Sequence, residues 1–480
     1  MNTMVWMAGA VAALVAAIIP GPVRTADLNP PRVAKPAVST ASAPPFMDGV
    51  IEGFYGPDWS TANTEAIFAF MQQQHLNTFV YAPKYDPYQR ADWSKPYPPK
   101  NLAALARLVA SARQHGITFI DSVSPGLSIN YGSMADRQLL AAKMNQVRKL
   151  GVSQFMLSFD DIGGTPTAAL AQEQAALANW IVRTETPGDP AFHLILTPTL
   201  YDGVSPNPYW AALKTRLDAS VGVVWTGPYV LSKTITFQDA KTVQGLIGHP
   251  LVIWDNYPVN DYTYVQPPHH PQLFLGPVMG RSPGLKKIVA GYFFNPMLQA
   301  QASEVALWTG ADYLNHPYRY QPAVSFEEAV AALGGTAKAS LLLFAEAASS
   351  SALGPSRTPL AGEIAGFWAN RPPQPGASAL MRTFRAMVNA NQSLKTGLPD
   401  TAFYAQIAPW SRLFSEEGQA GVEAIQLLAA TANGRPVTRA AINRVKMLDA
   451  AISQSSFTLD TTRPVERFIN TVLSRVSAKR

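Results

Sequence analysis

The chain contains no cysteine among its 480 residues. This absence excludes disulfide bonds, thiolate metal ligands, a cysteine nucleophile and a cysteine-linked lipid anchor. The 7 histidines are dispersed apart from His269 and His270, and none has the spacing of a metal-ligand pair. We therefore expect no metal site.

Charged residues are also few, and neither sign dominates. Charged residues make up 15% of the chain, the formal net charge is +6, and no Lys/Arg-rich run occurs outside the C-terminal tail. Nucleic acid is therefore not an expected partner. The sequence also lacks a glycine-rich phosphate loop that opens a helix, and no dinucleotide fingerprint follows the first predicted strand. We expect no cofactor.

The N-terminus carries an apolar run from Met4 to Ile19, which Pro20 ends. The run is short for a transmembrane helix and has the length of a signal-peptide core. We predict that residues 1–26 form a signal peptide, or an N-terminal membrane segment if they are not cleaved. The protein is then exported to the periplasm or secreted, with membrane association only in the uncleaved case. Residues 27–45, rich in Pro, Ala and Ser, are predicted to be a linker.

After the linker, strand-like apolar runs alternate with helical patterns. The predicted strands cover residues 49–55, 77–81, 117–123, 155–159, 193–197, 221–225, 251–254 and 287–294. Eight strand–helix units predict an α/β fold, a (β/α)₈ TIM barrel over residues 46–322. From about Ser325 the strand signal disappears, and the Ala/Leu-rich patterning predicts an all-α helical bundle over residues 323–480.

The fourth predicted strand ends at Phe159 in two adjacent aspartates, Asp160 and Asp161. Neighbouring residues on a strand face opposite ways, so both carboxylates enter one pocket only where the strand has just ended. Active sites of TIM barrels lie at the carboxyl ends of the strands. The pair therefore predicts a catalytic site, although a loop with one aspartate capping the next helix is the ordinary alternative.

The other predicted strands also end in polar or aromatic residues. These ends lie at residues 52–56, 81–86, 124–126, 197–201, 225–227, 254–256 and 295–296. Aromatic walls together with amide, hydroxyl and carboxylate groups suit a sugar. Taken singly, Trp225 and Trp254 are compatible with core packing, Lys84 with a surface charge, and Asn256 and Asn295 with turns.

Six of these motifs, in order, closely resemble glycoside hydrolase family 84, which contains the O-GlcNAcases and bacterial β-N-acetylglucosaminidases. The motifs occupy residues 52–56, 81–84, 124–126, 159–162, 225–227 and 254–256 with 260–262. The resemblance runs from about residue 49 to residue 313. It implies a retaining exo-β-N-acetylglucosaminidase that acts on a glycan or glycoconjugate ending in β-linked GlcNAc, through a barrel followed by a helical domain. We expect a monomer.

Substrate-assisted glycosidases are exceptions to the usual pair of separated carboxylates, and an adjacent pair suits that exception. The 2-acetamido oxygen of the substrate attacks the anomeric carbon and gives an oxazoline intermediate. By resemblance, Asp160 orients the acetamido group, Asp161 is the general acid/base, and Tyr201 hydrogen-bonds the oxazoline region. The resemblance also implies a set of substrate-binding residues, namely Gly53, Lys84, Thr197, Thr226, Trp254, Asn256, Asp261 and Asn295.

The sequence departs from the family pattern at two outer positions. Tyr85 stands where the family often has an aspartate, and Leu200 where it often has a glutamate. We expect altered contacts with the outer part of the substrate, not loss of activity. Two alternatives stay open, namely a related hexosaminidase acting on chitin or hyaluronan polymers and a catalytically silent GlcNAc-binding protein.

Overall fold

Eight parallel strands close into a barrel in the order of the chain, β1 to β8. The computed structural model describes residues 46–267, 269–351, 353–354, 358–369 and 379–478. The strands are β1 Met47–Glu52, β2 Thr78–Tyr81, β3 Thr118–Val123, β4 Gln154–Ser158, β5 His193–Thr197, β6 Gly222–Trp225, β7 Leu251–Asp255 and β8 Gly291–Phe294. The predicted TIM barrel is confirmed.

A helix follows each strand around the outside of the barrel. These helices are α1 Thr61–Gln73, α2 Pro99–Gln114, α3 Met134–Arg148, α4 Ala168–Glu185, α5 Pro208–Arg216, α6 Phe237–Ile247, the one-turn α7 Tyr262–Val265 and α8 Ala300–Asn315. Side-chain caps start several of them. Ser60, Ser133, Thr167 and Thr236 each accept a hydrogen bond from the backbone N–H three residues later, which satisfies an otherwise unpaired donor.

The lumen of the barrel is filled by alternate strand residues. Its apolar cluster is Ile51, Val80, Ala82, Ile120, Met156, Ile195, Val224, Val252, Trp254 and Phe293. The intervening residues face the helices and form the larger core outside the barrel. Because both faces are buried, the strands are almost continuously apolar, and this made them recognisable in the sequence.

The first and the eighth strand, which pair to close the barrel, are shorter than the sequence predicts. The first strand ends at Glu52, not at residue 55, and the eighth begins at Gly291, not at residue 287. Residues Leu285–Lys287 form a 3₁₀ turn. Apolar residues continue past both strand ends, so hydrophobicity alone does not mark where strand pairing stops.

The described residues after α8 are mainly helical. They form α9 Pro322–Leu333, α10 Lys338–Ala347, α11 Pro359–Ala369, α12 Ala379–Gly397, α13 Thr401–Ala432, α14 Arg439–Ser453 and α15 Pro464–Ala478. The sequence pattern predicts a helix here only over residues 418–430, whereas α13 begins at Thr401 and contains Pro409. A proline usually ends a helix, but α13 continues through Pro409 and is 32 residues long in all.

Helices α12 and α13 pack in close contact. A Cβ placed on Gly418 would lie 2.6 Å from Met387 Cβ, and one placed on Gly421 would lie 2.5 Å from the Phe384 ring. The absence of a side chain at these two positions lets the helices approach. No described helix is long and apolar enough to cross a membrane.

The helical region packs against the barrel and holds the loop that follows β7. Trp410 Nε1 and the backbone N–H of Thr458 both donate to the carbonyl of Pro271, at 2.9 and 3.1 Å. From Phe46 onward the chain forms one compact unit. The division at residues 322/323 stays a prediction. The predicted signal segment 1–26 and linker 27–45 lie outside the described residues.

Candidate active site

The two adjacent aspartates lie just beyond β4, at the carboxyl end of the barrel. The backbone N–H of Phe159 still donates to the carbonyl of Thr197 at 2.8 Å, and pairing then stops. Asp160 is buried and Asp161 is exposed. Asp161 has a φ of +54°, a left-handed conformation that is uncommon outside glycine, asparagine and aspartate. This turn brings both carboxylates to the same pocket.

Asp160 is held by a buried cation. The Lys84 ammonium, on the loop after β2, forms an ion pair with Asp160 Oδ2, and the two side chains are 5% and 7% exposed. The second oxygen, Oδ1, is buried and has no hydrogen-bond partner in the described part of the chain. A buried acceptor without a donor is costly, so this oxygen is a candidate acceptor for a ligand N–H.

Asp161 is held by two phenols. Tyr201 donates to Oδ1 at 2.7 Å and Tyr55 donates to Oδ2 at 2.9 Å. Burial, together with the nearby Asp161 charge, raises the pKa of both tyrosine hydroxyls. Both phenols therefore stay protonated as donors at any ordinary working pH. The two aspartates thus have different environments, one with a cation and one with neutral donors.

Trp254, at the end of β7, forms one wall of the pocket. It packs against Gly53 so closely that a Cβ on Gly53 would lie 2.3 Å from Trp254 Cζ2. The Lys84 ammonium lies 5.1 Å from the centre of a Trp254 ring, within the range of a cation–π contact. The wall is therefore a flat apolar face fixed by backbone on one side and a cation on another.

Amide groups link the ends of the neighbouring strands β1, β8 and β7 at the pocket. Asn295 Oδ1 accepts from the backbone N–H of Gly53 at 3.3 Å, and Asn295 Nδ2 donates to Asn256 Oδ1 at 2.9 Å. Asp261 accepts from the backbone N–H groups of Tyr55 and Tyr262 at 2.7 and 2.6 Å. Burial raises the Asp261 pKa, although these N–H donors oppose the shift. These contacts fix the polar side of the pocket.

The pocket has a volume of about 290 Å³, at the small end of ligand sites. All the site residues predicted from the sequence line it, namely Gly53, Lys84, Asp160, Asp161, Thr197, Tyr201, Thr226, Trp254, Asn256, Asp261 and Asn295. Thr226 also has a structural role, because its hydroxyl donates to the carbonyl of Tyr229 at 3.2 Å. Trp225 is fully buried, and its Nε1 donates to the Gly203 carbonyl at 2.9 Å. Trp225 is therefore a core residue.

Several further residues line the pocket. They are Tyr55, Val230, Leu231, Val259, Tyr262, Val265 and Gln266. Tyr55 and Tyr262 belong to two of the six motifs, but the motifs do not show where their side chains point. The apolar lining residues lie in the connections after β6 and β7, and Val265 is in the one-turn α7. No periodic pattern in these connections shows which residues face the pocket. The sequence offers one signal for these residues, namely the length of the loop after β7, because long loops in compact domains are often functional.

The chain matches known proteins across most of this structure. Residues 48–346 match the family model described as beta-N-acetylglucosaminidase. The Protein O-GlcNAcases of Rattus norvegicus and Mus musculus are each 35% identical over 281 residues, which is 56% of this chain and 30% of theirs. An O-GlcNAc hydrolase mutant of Thermobaculum terrenum superposes with a TM-score of 0.79 and 28% identity, covering 91% of this chain and 96% of that one.

Proposed function

Because the chain belongs to the β-N-acetylglucosaminidase family, glycoside hydrolase family 84, we propose that it hydrolyses terminal β-linked GlcNAc with retention of configuration. The chain spans less than a third of the curated O-GlcNAcases it matches, so the activity and the substrate are proposals. The observation that carries them concerns the Asp160 carboxylate. Its Oδ1 is buried in the pocket without a hydrogen-bond partner among the described residues, whereas its Oδ2 is paired with Lys84.

In the first step the acetamido oxygen of the substrate attacks the anomeric carbon, and the bond to the leaving oxygen breaks. Asp160 Oδ1 accepts the acetamido N–H and stabilises the positive charge that develops on this group. Lys84 holds Asp160 by its other oxygen, so the free oxygen keeps one direction. The acetamido methyl then packs against Trp254, which lines the pocket.

Asp161 supplies the proton for the departing oxygen. In the second step it removes a proton from water, whose oxygen forms the new bond to the anomeric carbon as the oxazoline ring opens. Its exposure suits this role, since both the leaving group and water must reach it from outside. Tyr201 and Tyr55 orient the carboxyl from its two oxygens.

The geometry also favours the acetamido sugar over glucose. A glucoside carries a hydroxyl in place of the 2-acetamido group. It has no carbonyl oxygen to attack the anomeric carbon and no methyl group to pack against Trp254, so it can neither form the oxazoline nor fill that part of the pocket.

The test is hydrolysis of an aryl β-N-acetylglucosaminide beside the matching aryl β-glucoside, with inhibition by a thiazoline analogue of the oxazoline. Turnover of the acetamido substrate alone, blocked by the thiazoline, supports the proposal. Thiazoline binding without turnover favours the silent GlcNAc-binding protein. Faster cleavage of chitin or hyaluronan chains than of the aryl monosaccharide favours the polymer-acting hexosaminidase.

A further inference from the structure

Arg90 lies beneath the exposed catalytic aspartate, on the loop between β2 and α2. Its Nη2 donates to the backbone carbonyl of Asp161 at 3.0 Å. Its guanidinium carbon lies 5.8 Å from the centre of the Tyr55 ring. Arg90 is 9% exposed, so it is not a solvated surface charge. The sequence around it gives no sign that it is buried.

The two contacts meet at one group. Tyr55, on which the guanidinium rests, donates its hydroxyl to Asp161 Oδ2. The Arg90 side chain therefore contacts the backbone carbonyl of Asp161 directly and the Asp161 carboxylate indirectly, by way of Tyr55. A planar guanidinium can hydrogen-bond at its edge while its face lies on an aromatic ring, whereas an ammonium cannot do both in this way.

The backbone that Arg90 holds is the strained part of the site. Asp161 has a φ of +54°, and a left-handed conformation costs a residue with a side chain some free energy, so contacts that hold this backbone help to maintain the turn. Gly163 and Gly164 follow shortly after, both with positive φ, so the downstream chain gives little support. The bond to Arg90 fixes the carbonyl of the one residue whose carboxyl must meet the leaving oxygen.

The base from which Arg90 acts is rigid. The preceding residue, Gln89, is buried; its side-chain amide donates to the Tyr81 carbonyl and to Asp121 Oδ1, each at 3.2 Å. The Gln89 carbonyl accepts from the backbone N–H of Ser124 at 2.7 Å. Hydrogen bonds to β2, to β3 and to the residue after β3 thus fix the loop that carries Arg90.

From this geometry we propose that Arg90 is a positioning residue for proton transfer: it sets the conformation of Asp161 without touching the substrate. The inference rests on the proposed function, since it assigns Arg90 to the acid/base half of that mechanism alone. Among the described residues no hydrogen bond, ion pair or cation–π contact joins Arg90 to Asp160, Lys84 or Trp254. We therefore expect binding of the sugar and attack by its acetamido group to be largely independent of Arg90.

The experiment compares two substrates in the wild-type full chain and in Arg90→Met. One is the phenyl β-N-acetylglucosaminide, whose leaving group needs a proton. The other is the dinitrophenyl glycoside, whose leaving group departs without one. We expect kcat/KM to fall about 10- to 100-fold on the phenyl glycoside and only slightly on the dinitrophenyl glycoside, with unchanged thiazoline affinity. Arg90→Lys, which keeps the charge and one donor, should lose less with the same selectivity.

The matched control is Arg107→Met, which removes an arginine from a surface ion pair with Glu65 and should change neither rate. Equal losses on both glycosides, or weaker thiazoline binding, would mean a general structural role and overturn the proposal, as would an unchanged phenyl rate. If the wild-type chain cleaves neither glycoside, the proposed function itself fails, and this inference with it.

A second arm repeats Arg90→Met in an Asp161→Asn background. If Arg90 acts only through Asp161, the double variant loses no more on the phenyl glycoside than Asp161→Asn alone, because residues that work as a unit are not additive. Losses that multiply would show an independent action and overturn the assignment.

Discussion

The Lys84 ammonium and the Asp160 carboxylate form an ion pair inside the barrel mouth, and this pair leaves one carboxylate oxygen free. A pair of this kind is costly to break on one side, because the remaining charge stays buried without a partner. The geometry of the candidate active site and the stability of the barrel therefore depend on the same contact.

We expect Lys84→Met to lower the free energy of unfolding by about 3–5 kcal/mol and to reduce turnover of phenyl and dinitrophenyl glycosides alike. Urea unfolding and steady-state kinetics measure the two effects. Adding Asp160→Asn should recover part of the stability but none of the activity, since the uncompensated charge is gone while the acceptor is changed. Unchanged stability in Lys84→Met would contradict a buried pair.

The two aspartates should respond differently to amidation. Asp161→Asn removes the acid, so kcat/KM should fall about 10²- to 10⁴-fold on the phenyl glycoside and far less on the dinitrophenyl glycoside. Asp160→Asn removes stabilisation of the attacking group, so both substrates should lose about 10²- to 10³-fold. The ratio of the two rates in each variant is the measurement. An identical ratio in both variants would refute the division of roles.

Tyr201→Phe removes the 2.7 Å hydrogen bond to Asp161 Oδ1. A hydrogen bond to a charged group contributes about 1.5–3 kcal/mol, so we expect kcat/KM to fall about 10- to 100-fold. The exposed Tyr318 offers the control: Tyr318→Phe should leave the rate unchanged. A Tyr201→Phe enzyme with full activity would remove this residue from the catalytic group.

The helical region contains an acid that should give a pH-dependent stability. Burial, with the charges of Glu466 and Asp460, raises the Glu417 pKa from 4.5 to about 8. Between these values the folded chain keeps a proton that the unfolded chain releases, so the contribution of Glu417 to stability falls as pH rises from about 4.5 to 8.

Glu417→Gln should therefore be more stable relative to wild type at pH 8 than at pH 4, as measured by urea unfolding at both values. Glu416 lies next to it on α13 and is exposed; Glu416→Gln should show no such difference. A Glu417→Gln effect that is equal at the two pH values would argue against a carboxyl that stays protonated in the folded chain.

Two helical glycines give opposite expectations for stability. A Cβ on Gly421 meets the Phe384 ring at 2.5 Å, whereas one on Gly362 in α11 meets nothing within 4 Å. Gly421→Ala should destabilise the protein by about 1–3 kcal/mol through overpacking. Gly362→Ala should stabilise it by about 0.5–1 kcal/mol, because alanine is the better helix former. Thermal unfolding of both variants measures the difference, and a stabilised Gly421→Ala would disprove the close packing of α12 and α13.

Much of the fold and of the site was predictable because a TIM barrel repeats one pattern. Its strands are buried on both faces, so they stand out as apolar runs, and its site residues gather at strand ends. Asp160, Trp254 and Asn295 could be placed in one pocket for that reason. The residue roles came from resemblance to a family and are still predictions.

What the sequence did not reveal are contacts between loops. Tyr55 and Arg90 reach Asp161 from the first and second strand–helix connections, and no periodicity governs such approaches. The first half of α13 was hidden for another reason: local propensity at Pro409 opposes a helix that tertiary packing maintains.

The hydrogen bond between Gly53 and Asn295 spans 242 positions of the chain and has a consequence for synthesis. The ribosome releases β1 first and β8 last among the strands, so the pocket does not exist on a growing chain until the eighth strand has emerged and closed the ring. A ligand in the surroundings can therefore stabilise only the closed barrel. During translation the first seven strands must therefore stay together without stabilisation by a bound ligand.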